Sequence, residues 1–360
     1  MQRPLVSIVV NNFNYGRFLA RAVESALTQT YENVEVIVVD DGSTDDSRSI
    51  LQSFKDRARI LLKENSGQAG AFNVGIQAAR GVYTLLLDSD DYLLPEAVAT
   101  CVEKFPLGYS RVYYRLQTVD SSGAVLNAGG DVGHFREFEG DVFKAIERGE
   151  PPFFSVPTSG NFFATDKLKA VLPIPEDEYR ICADSFLLVK SSLAGGVKSI
   201  DQVLGAYRVH TGNNFAFAAF RYSDTKKLRT QIDNFYRTRS LIREGCKTAG
   251  FDHRFEPEEA DSFVTQCLCI GYKLRVQSKY LEQWDLPSLG GLVWRFFRTG
   301  RDSRMKRFTL AVYLALVLLL PRAAAQSLIR GMDRVIQLKA ARRASRSARE
   351  TRAHTGAFES

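Results

Sequence analysis

The chain reads as an α/β protein: a mostly parallel central sheet with helices on both faces, followed by a helical C-terminal extension. From Leu5 to Asp91, short apolar runs alternate with segments whose apolar residues recur at helical spacing, the pattern of a covered parallel sheet. Each unusual turn comes directly after a strand-like run, so these turns gather on the one sheet edge where open α/β folds bind ligands. The length of 360 residues and a hydrophobic content of 45% suffice for one large domain and an appendage without covalent staples.

Leu5-Val-Ser-Ile-Val-Val10 is uncharged and rich in β-branched residues, which suits a buried strand. It ends in the turn cluster Asn11 to Gly16. Phe18, Leu19, Val23, Ala26 and Leu27 then mark a helix. A second strand, Val34 to Val39, stops at Asp40-Asp41-Gly42-Ser43-Thr44-Asp45, where Ser43 or Thr44 can cap a helix near Ile50 to Phe54. Arg59 to Leu62 is a short third strand. Asn65-Ser-Gly67-Gln68-Ala-Gly70 turns into a helix ending near Ala79.

The fourth strand, Val82 to Leu87, runs into Asp88-Ser-Asp90-Asp91. Three carboxylates at one strand end repel each other, and a hard cation such as Mg2+ or Mn2+ offsets that repulsion while completing its shell with phosphates. The plain alternative is an acidic turn before a helix opened by Pro95 and Glu96. Further on, Val112 to Val119 suggests an edge strand, Pro151 to Pro157 a loop, and Ser159 to Ala164 another strand. Ile181 to Val189 suggests a helix with Asp184 near its start, and Val203 to Tyr207 a last strand. Beyond it Leu228, Ile232, Phe235 and Ile242 form a helical stripe, and Pro257 opens a helix that turns Phe263, Cys267, Leu268 and Leu274 inward.

The five cysteines, Cys101, Cys182, Cys246, Cys267 and Cys269, include no CxxC pair. That argues against a disulfide framework or zinc site and for a cytoplasmic setting. The N-terminus shows no signal-peptide pattern. The net charge of +7 is uneven: from Leu286 onward fifteen Lys/Arg face four Asp/Glu, a net of +11, which leaves −4 for the rest. The basic balance therefore belongs to the tail and suits an anionic surface, not a nucleic-acid-binding core.

Four motifs in order, Val6-Ser-Ile-Val-Val with Asn14-Tyr15, Val38-Val-Asp40-Asp41-Gly-Ser-Thr-Asp45, Asn65-x-Gly67 with Asn73-x-Gly75, and Leu87-Asp88-Ser-Asp90-Asp91, resemble the inverting glycosyltransferases of family 2, which have the GT-A (Rossmann-like) fold. The resemblance covers roughly the first 210 residues. It implies a nucleotide-diphosphate sugar donor whose base sits by Asn11 and Phe13, with Asp41 accepting from base or ribose. Asp88 would meet ribose or metal, Asp90 with Asp91 behind it would hold Mn2+ or Mg2+, and Asp184 would be the base. Arg208 and His210 resemble the closing motif, where His reaches metal or diphosphate. Where relatives often have Ala-Arg-Asn, this chain has Ala71-Phe72-Asn73, so Gln68 or Arg208 would supply the diphosphate contact.

The chemistry supports these residue types independently. Displacement at an anomeric carbon needs one base at the acceptor hydroxyl and charge stabilisation on the leaving diphosphate. Two other functions remain open: a nucleotidyltransferase with a similar sheet, disfavoured because Asn11 to Tyr15 holds no glycine, and a non-catalytic scaffold of the same fold. The acceptor would be a saccharide or a lipid-linked sugar, as in polysaccharide or other envelope glycan synthesis.

The domain expectation is a catalytic domain over 1–215, a helical extension over 216–285, basic and apolar helices over 286–335 and a disordered tail over 336–360. Phe308 to Leu320 is thirteen uncharged residues, short of the roughly twenty that cross a bilayer. With Trp294 and the arginines before it, the segment 292–322 suits peripheral contact with the cytoplasmic face of a membrane; the alternative is a helix packed on the catalytic domain.

Overall fold

A computed structural model describes residues 3–128, 135–150, 156–210, 213, 221–253, 262–299 and 303–355. They form two compact units: Met1–Arg208 with Gly245–Phe251, and Val209–Glu244 with Asp252–Ser360. Most of the expected loop Pro151 to Pro157, the helix-opening Pro257 and residues 356–360 lie outside the described residues.

The first unit carries β1 (Val6–Asn12), α1 (Gly16–Leu27), β2 (Val34–Asp41), α2 (Ser47–Gln52), β3 (Arg59–Lys63), α3 (Gln68–Ala78), β4 (Tyr83–Asp88) and β5 (Tyr92–Leu93). There follow α4 (Ala97–Lys104), β6 (Tyr109–Val119), β7 (Val125–Asn127), β8 (Glu139–Gly140), α5 (Val142–Glu147), a 3-10 turn (Thr158–Gly160), β9 (Asn161–Ala164), α6 (Thr165–Lys169), α7 (Ala183–Ser191) and β10 (Gly196–Arg208). Ten strands form one sheet in the order β3-β2-β1-β4-β9-β6-β10-β5, with β7 beside β6 and β8 beside β10. β1 pairs in parallel with both β2 and β4, so the strand order reverses there. That reversal opens a crevice at the carboxyl ends of the strands.

Alternation along β1 explains why helices cover both faces. Val6, Ile8 and Val10 share a cluster with Leu19, Ala22, Val23 and Ala26 of α1. Each fully buried side chain of this size contributes on the order of 2 kcal/mol. Val9 points the other way, toward α3, where Gly75 permits close approach: a Cβ there would lie 2.4 Å from Val9 Cγ1.

The structure differs from the sequence expectation at several elements. Val112 to Val119 is no edge strand; β6 has eleven residues and lies between β9 and β10. Its weak alternation reflects burial on both faces. β10 extends back to Gly196 through register shifts near Ile200 and Val203, irregularities that hide a strand from pattern reading. β9 begins at Asn161, because Thr158–Gly160 turns first. α2 begins at Ser47, and neither Ser43 nor Thr44 caps it.

The second unit is helical: α8 (Thr225–Thr248, whose last turn belongs to the first unit), α9 (Ser262–Leu274), α10 (Leu286–Thr299), α11 (Arg304–Leu319) and α12 (Arg322–Thr355). Leu228 and Ile232 of α8 share one cluster with Leu268 of α9, Leu289 and Phe296 of α10, Leu314 and Val317 of α11, and Ile329 of α12. Segments 216–285 and 286–335 thus contribute to a single core. The tail expected to lack structure carries α12 to Thr355, in keeping with its many Ala and Arg residues, both strong helix formers. Among the described residues no helix is long and apolar enough to cross a membrane. All five cysteines are buried free thiols.

Candidate active site

Sheet register assembles the rim. Asn11 of β1 lies opposite Asp88 of β4, Asn12 lies opposite Asp40 of β2, and Asp41 lies opposite Lys63 of β3. Asp40 serves the turns: it accepts from Asn12 Nδ2 at 2.9 Å, Ser43 N at 3.2 Å and Arg48 Nε at 3.2 Å. Asn12 Nδ2 also reaches Ser43 Oγ at 3.1 Å, and Ser43 Oγ accepts from Asn14 N at 2.9 Å. Phe13 follows at 43% exposure.

Asp41 orders the Gly-rich turn. Its oxygens accept from Lys63 Nζ at 2.6 Å, Ser66 N at 3.0 Å and Gly67 N at 2.8 Å. Gly67 has φ +88° and ψ 179°, a region essentially reserved for glycine. The turn then meets the segment before α7, with Gln68 N donating to Arg180 O at 2.9 Å and Ala69 N to Tyr179 O at 3.3 Å. Gln68 links both sides of the site: its Oε1 accepts from Ala183 N at 2.9 Å, and its Nε2 makes a long 3.5 Å contact with Asp88 Oδ1. Lys63 escaped the sequence reading, because only the β2–β3 register brings it to Asp41.

The acidic loop is held from beneath. Ser159 Oγ accepts from Asp88 N at 3.1 Å and donates to Asp91 Oδ2 at 2.7 Å. Asp91, 1% exposed, also accepts from Arg208 N at 2.9 Å. Arg208 Nε donates to Asp90 O at 2.8 Å, its Nη1 donates to Asp120 O at 3.0 Å, and its guanidinium lies 4.6 Å from the Phe18 ring centre. Arg208, expected at the diphosphate, thus braces the loop, and Asp91 ties β4 to β10. Tyr114 OH fixes the supporting turn through Ser159 O at 2.6 Å. No local signal marked Thr158 or Ser159; the fold brings them in from far along the chain.

Asp184 stands in the first turn of α7, whose N-cap is Cys182, so it is not the cap residue. Its Oδ1 accepts from Ser185 N at 2.9 Å. Burial pushes the Asp184 carboxyl up against bonds from Ser185 and Thr158. Asp88 is pushed up to about 7 by burial and then by the Asp90 and Asp184 carboxylates, against bonds from Asn11 and Thr158. Asp91 is raised by burial and then by Asp90 and Asp88. Tyr15, part of the first motif, is raised by burial and then by Asp90 and Asp88. Thr158 is thus a hydrogen-bond partner of both Asp88 and Asp184, and the Asp184 carboxylate acts on Asp88. Asn11 Oδ1, also at this edge, is buried without a hydrogen-bond partner.

Among the described residues no group of three or more His, Cys, Asp or Glu is arranged to hold a metal. Asp88 and Asp90 nonetheless fit a divalent ion that takes one or two carboxylates and fills its shell with phosphates and water. Their mutual repulsion is what such an ion relieves. His210 belongs to the second unit, where its N–H donates to Asn213 Oδ1 at 2.6 Å.

The family model for glycosyl transferase family 2 matches residues 7–129. An uncharacterized glycosyltransferase of Nostoc sp. is 31% identical over 314 residues, 81% of this chain and 89% of that protein. The Escherichia coli UDP-Glc:alpha-D-GlcNAc-diphosphoundecaprenol beta-1,3-glucosyltransferase WfaP is 40% identical over 116 residues, 30% of this chain and 46% of that protein. The crystal structure of S. aureus TarS 1–349 in complex with UDP-GlcNAc resembles the chain in fold, with a TM-score of 0.50 at 17% identity over 92% of this chain and 90% of that one. With the strand order, the rim acids and the near full-length Nostoc relative in agreement, the chain belongs to glycosyltransferase family 2 and has the GT-A fold.

Proposed function

We infer that this glycosyltransferase moves a sugar from a nucleoside-diphosphate sugar to an acceptor hydroxyl in one inverting, metal-dependent displacement. The observation that carries the reading is the meeting of Asp88 at the end of β4 with Asp184 at the start of α7, joined by Thr158 and Gln68. Asn11, with its unpartnered Oδ1, and Phe13 flank the nucleotide base. Asp41 acts by shaping the Gly67 turn around the donor. Asp88 and Asp90 would hold Mn2+ or Mg2+, which supplies Lewis-acid stabilisation to the leaving diphosphate. Asp91 and Arg208 set the loop that carries those two acids.

Asp184 takes the proton from the acceptor hydroxyl as that oxygen attacks the anomeric carbon. A raised carboxyl is a better base near neutral pH than an ordinary one. The diphosphate departs on the opposite side of the sugar, so inversion follows and no covalent intermediate is needed. The Escherichia coli relative that acts from UDP-Glc on a diphosphoundecaprenol-linked sugar favours a UDP-sugar donor and a lipid-linked saccharide acceptor, in cell-envelope glycan synthesis at the cytoplasmic side of the membrane.

A sugar-nucleotide binding panel with Mn2+ and with Mg2+ identifies the donor, and turnover is then compared for wild type and Asp184→Asn. Turnover is expected to fall about a hundredfold or more while donor binding persists. Unchanged turnover in Asp184→Asn, or full activity in chelator, overturns the assignment.

A further inference from the structure

α11 is apolar on two faces. Leu310, Tyr313, Leu314, Val317 and Leu318 are buried in the core of the second unit. On the outer side Met305, Phe308, Val312, Leu316 and Leu319 follow each other at three- or four-residue steps and are all exposed, Met305 and Leu319 by about three-quarters. Such steps place side chains in one row along a helix. A helix on a water-facing surface carries polar residues on its outer face, yet 308–320 holds no charge. The row continues onto α10: Trp294, 58% exposed, lies 5.7 Å from Phe297, whose ring lies 6.3 Å from Phe308.

Cations border this row. Arg295, Arg298, Arg304 and Lys306 are exposed. Among the described residues from Leu286 to Leu338 the acid is Asp333, which is buried and accepts from Tyr222 N at 2.7 Å and Ser223 N at 3.0 Å. An aromatic and aliphatic row with a basic border complements an anionic lipid surface. A second copy of the chain suits it less, because facing two such borders would oppose like charges. The sixteen residues of α11 span about 24 Å at the helical rise, short of a bilayer core of about 30 Å. The helix therefore lies in the surface plane.

We propose that the outer face of α10 and α11 docks on an anionic lipid bilayer, with Trp294, Phe308, Val312 and Leu316 at the headgroup–acyl boundary and the bordering Arg and Lys on lipid phosphates. The inference rests on the second unit alone and holds whatever the donor or acceptor.

The test uses the full chain, pelleted with phosphatidylcholine vesicles with and without phosphatidylglycerol at low and high salt. Two variants accompany it: Phe308→Glu with Leu316→Glu, and Arg295→Gln with Arg298→Gln and Lys306→Gln. All substituted side chains are exposed, so thermal melting should match wild type. Wild type should pellet with anionic vesicles at low salt, with Trp emission shifting to the blue. The triple neutralisation should lower partitioning roughly a hundredfold, and the double Glu variant should abolish the blue shift. Wild type that stays in the supernatant, or binds neutral vesicles equally well, overturns the proposal. So does a concentration-dependent dimer that Phe308→Glu disrupts and that does not pellet, which gives the face to a second copy.

Discussion

Replacing Gly67 with alanine tests whether the Gly-rich turn is fixed by backbone geometry. At φ +88° and ψ 179° a side chain costs on the order of 1–3 kcal/mol in backbone strain. The added Cβ would also lie 2.7 Å from Arg180 Cα and 2.8 Å from Arg180 O. Those are backbone atoms that cannot rotate away, so the turn and the segment before α7 must part. Parting them weakens the bonds from Gln68 N to Arg180 O and from Ala69 N to Tyr179 O, about 1 kcal/mol each. Together the loss is about 3–5 kcal/mol, large beside a typical domain stability of about 5–15 kcal/mol. Gly108 provides the control: it has φ +79° and nothing within 4 Å of an added Cβ, so Gly108→Ala pays the strain without the clash, about 1–2 kcal/mol. Denaturant unfolding of both variants, with turnover on the identified donor, measures the difference. Gly67→Ala should also lose turnover, because Gln68 and Asp184 separate. Equal losses in the two variants, or a Gly67→Ala that unfolds like wild type, would refute the reasoning.

Ser159→Ala removes the hydroxyl shared by Asp88 N and the buried Asp91; it should cost about 1–3 kcal/mol and weaken donor binding, and calorimetry that finds both unchanged would discard the bracing role. The second expectation concerns pH in chelator. Since Asp88 is pushed up to about 7, the folded protein keeps a proton that the unfolded chain has released above its ordinary value of about 4. This contribution to stability is full below about pH 4 and is lost as pH rises toward 7. Carboxyls lowered in the fold, such as Glu35 and Asp45, are ionised in both states above about pH 5 and leave that part of the window clear. Melting temperature should therefore fall between pH 5 and 7 in wild type and fall less in Asp88→Asn; identical slopes would contradict the assignment.

The parallel half of the sheet was legible because β1, β2 and β4 are runs dominated by apolar residues that each end in polar turn residues. Asp88 and Asp184 were legible as acids at element ends. The roles of Asp41, Asp91 and Arg208 were less so: a sequence shows a carboxylate but not which N–H groups consume its lone pairs. Asp41 spends them on its neighbouring turn and Asp91 on Ser159 and Arg208. Thr158 and Ser159 were invisible as site residues because their partners are remote in the chain. β6 was misjudged because a strand covered on both faces loses the alternation that identifies strands.

β9 runs antiparallel to both β4 and β6, so the turn before it arrives at the rim from the opposite direction to every parallel strand. The acidic loop is therefore closed by bonds across long stretches of chain: 71 residues from Asp88 to Ser159, 68 from Ser159 to Asp91 and 117 from Asp91 to Arg208. Synthesis at about 5–20 residues per second separates the emergence of Asp91 from that of Arg208 by on the order of ten seconds. During that interval β1 to β4 can pair, but their three carboxylates have neither the Ser159 hydroxyl nor the β10 backbone to set them. A growing chain thus pairs its first four strands long before Ser159 and the backbone of the last strand can set the acidic loop in which β4 ends.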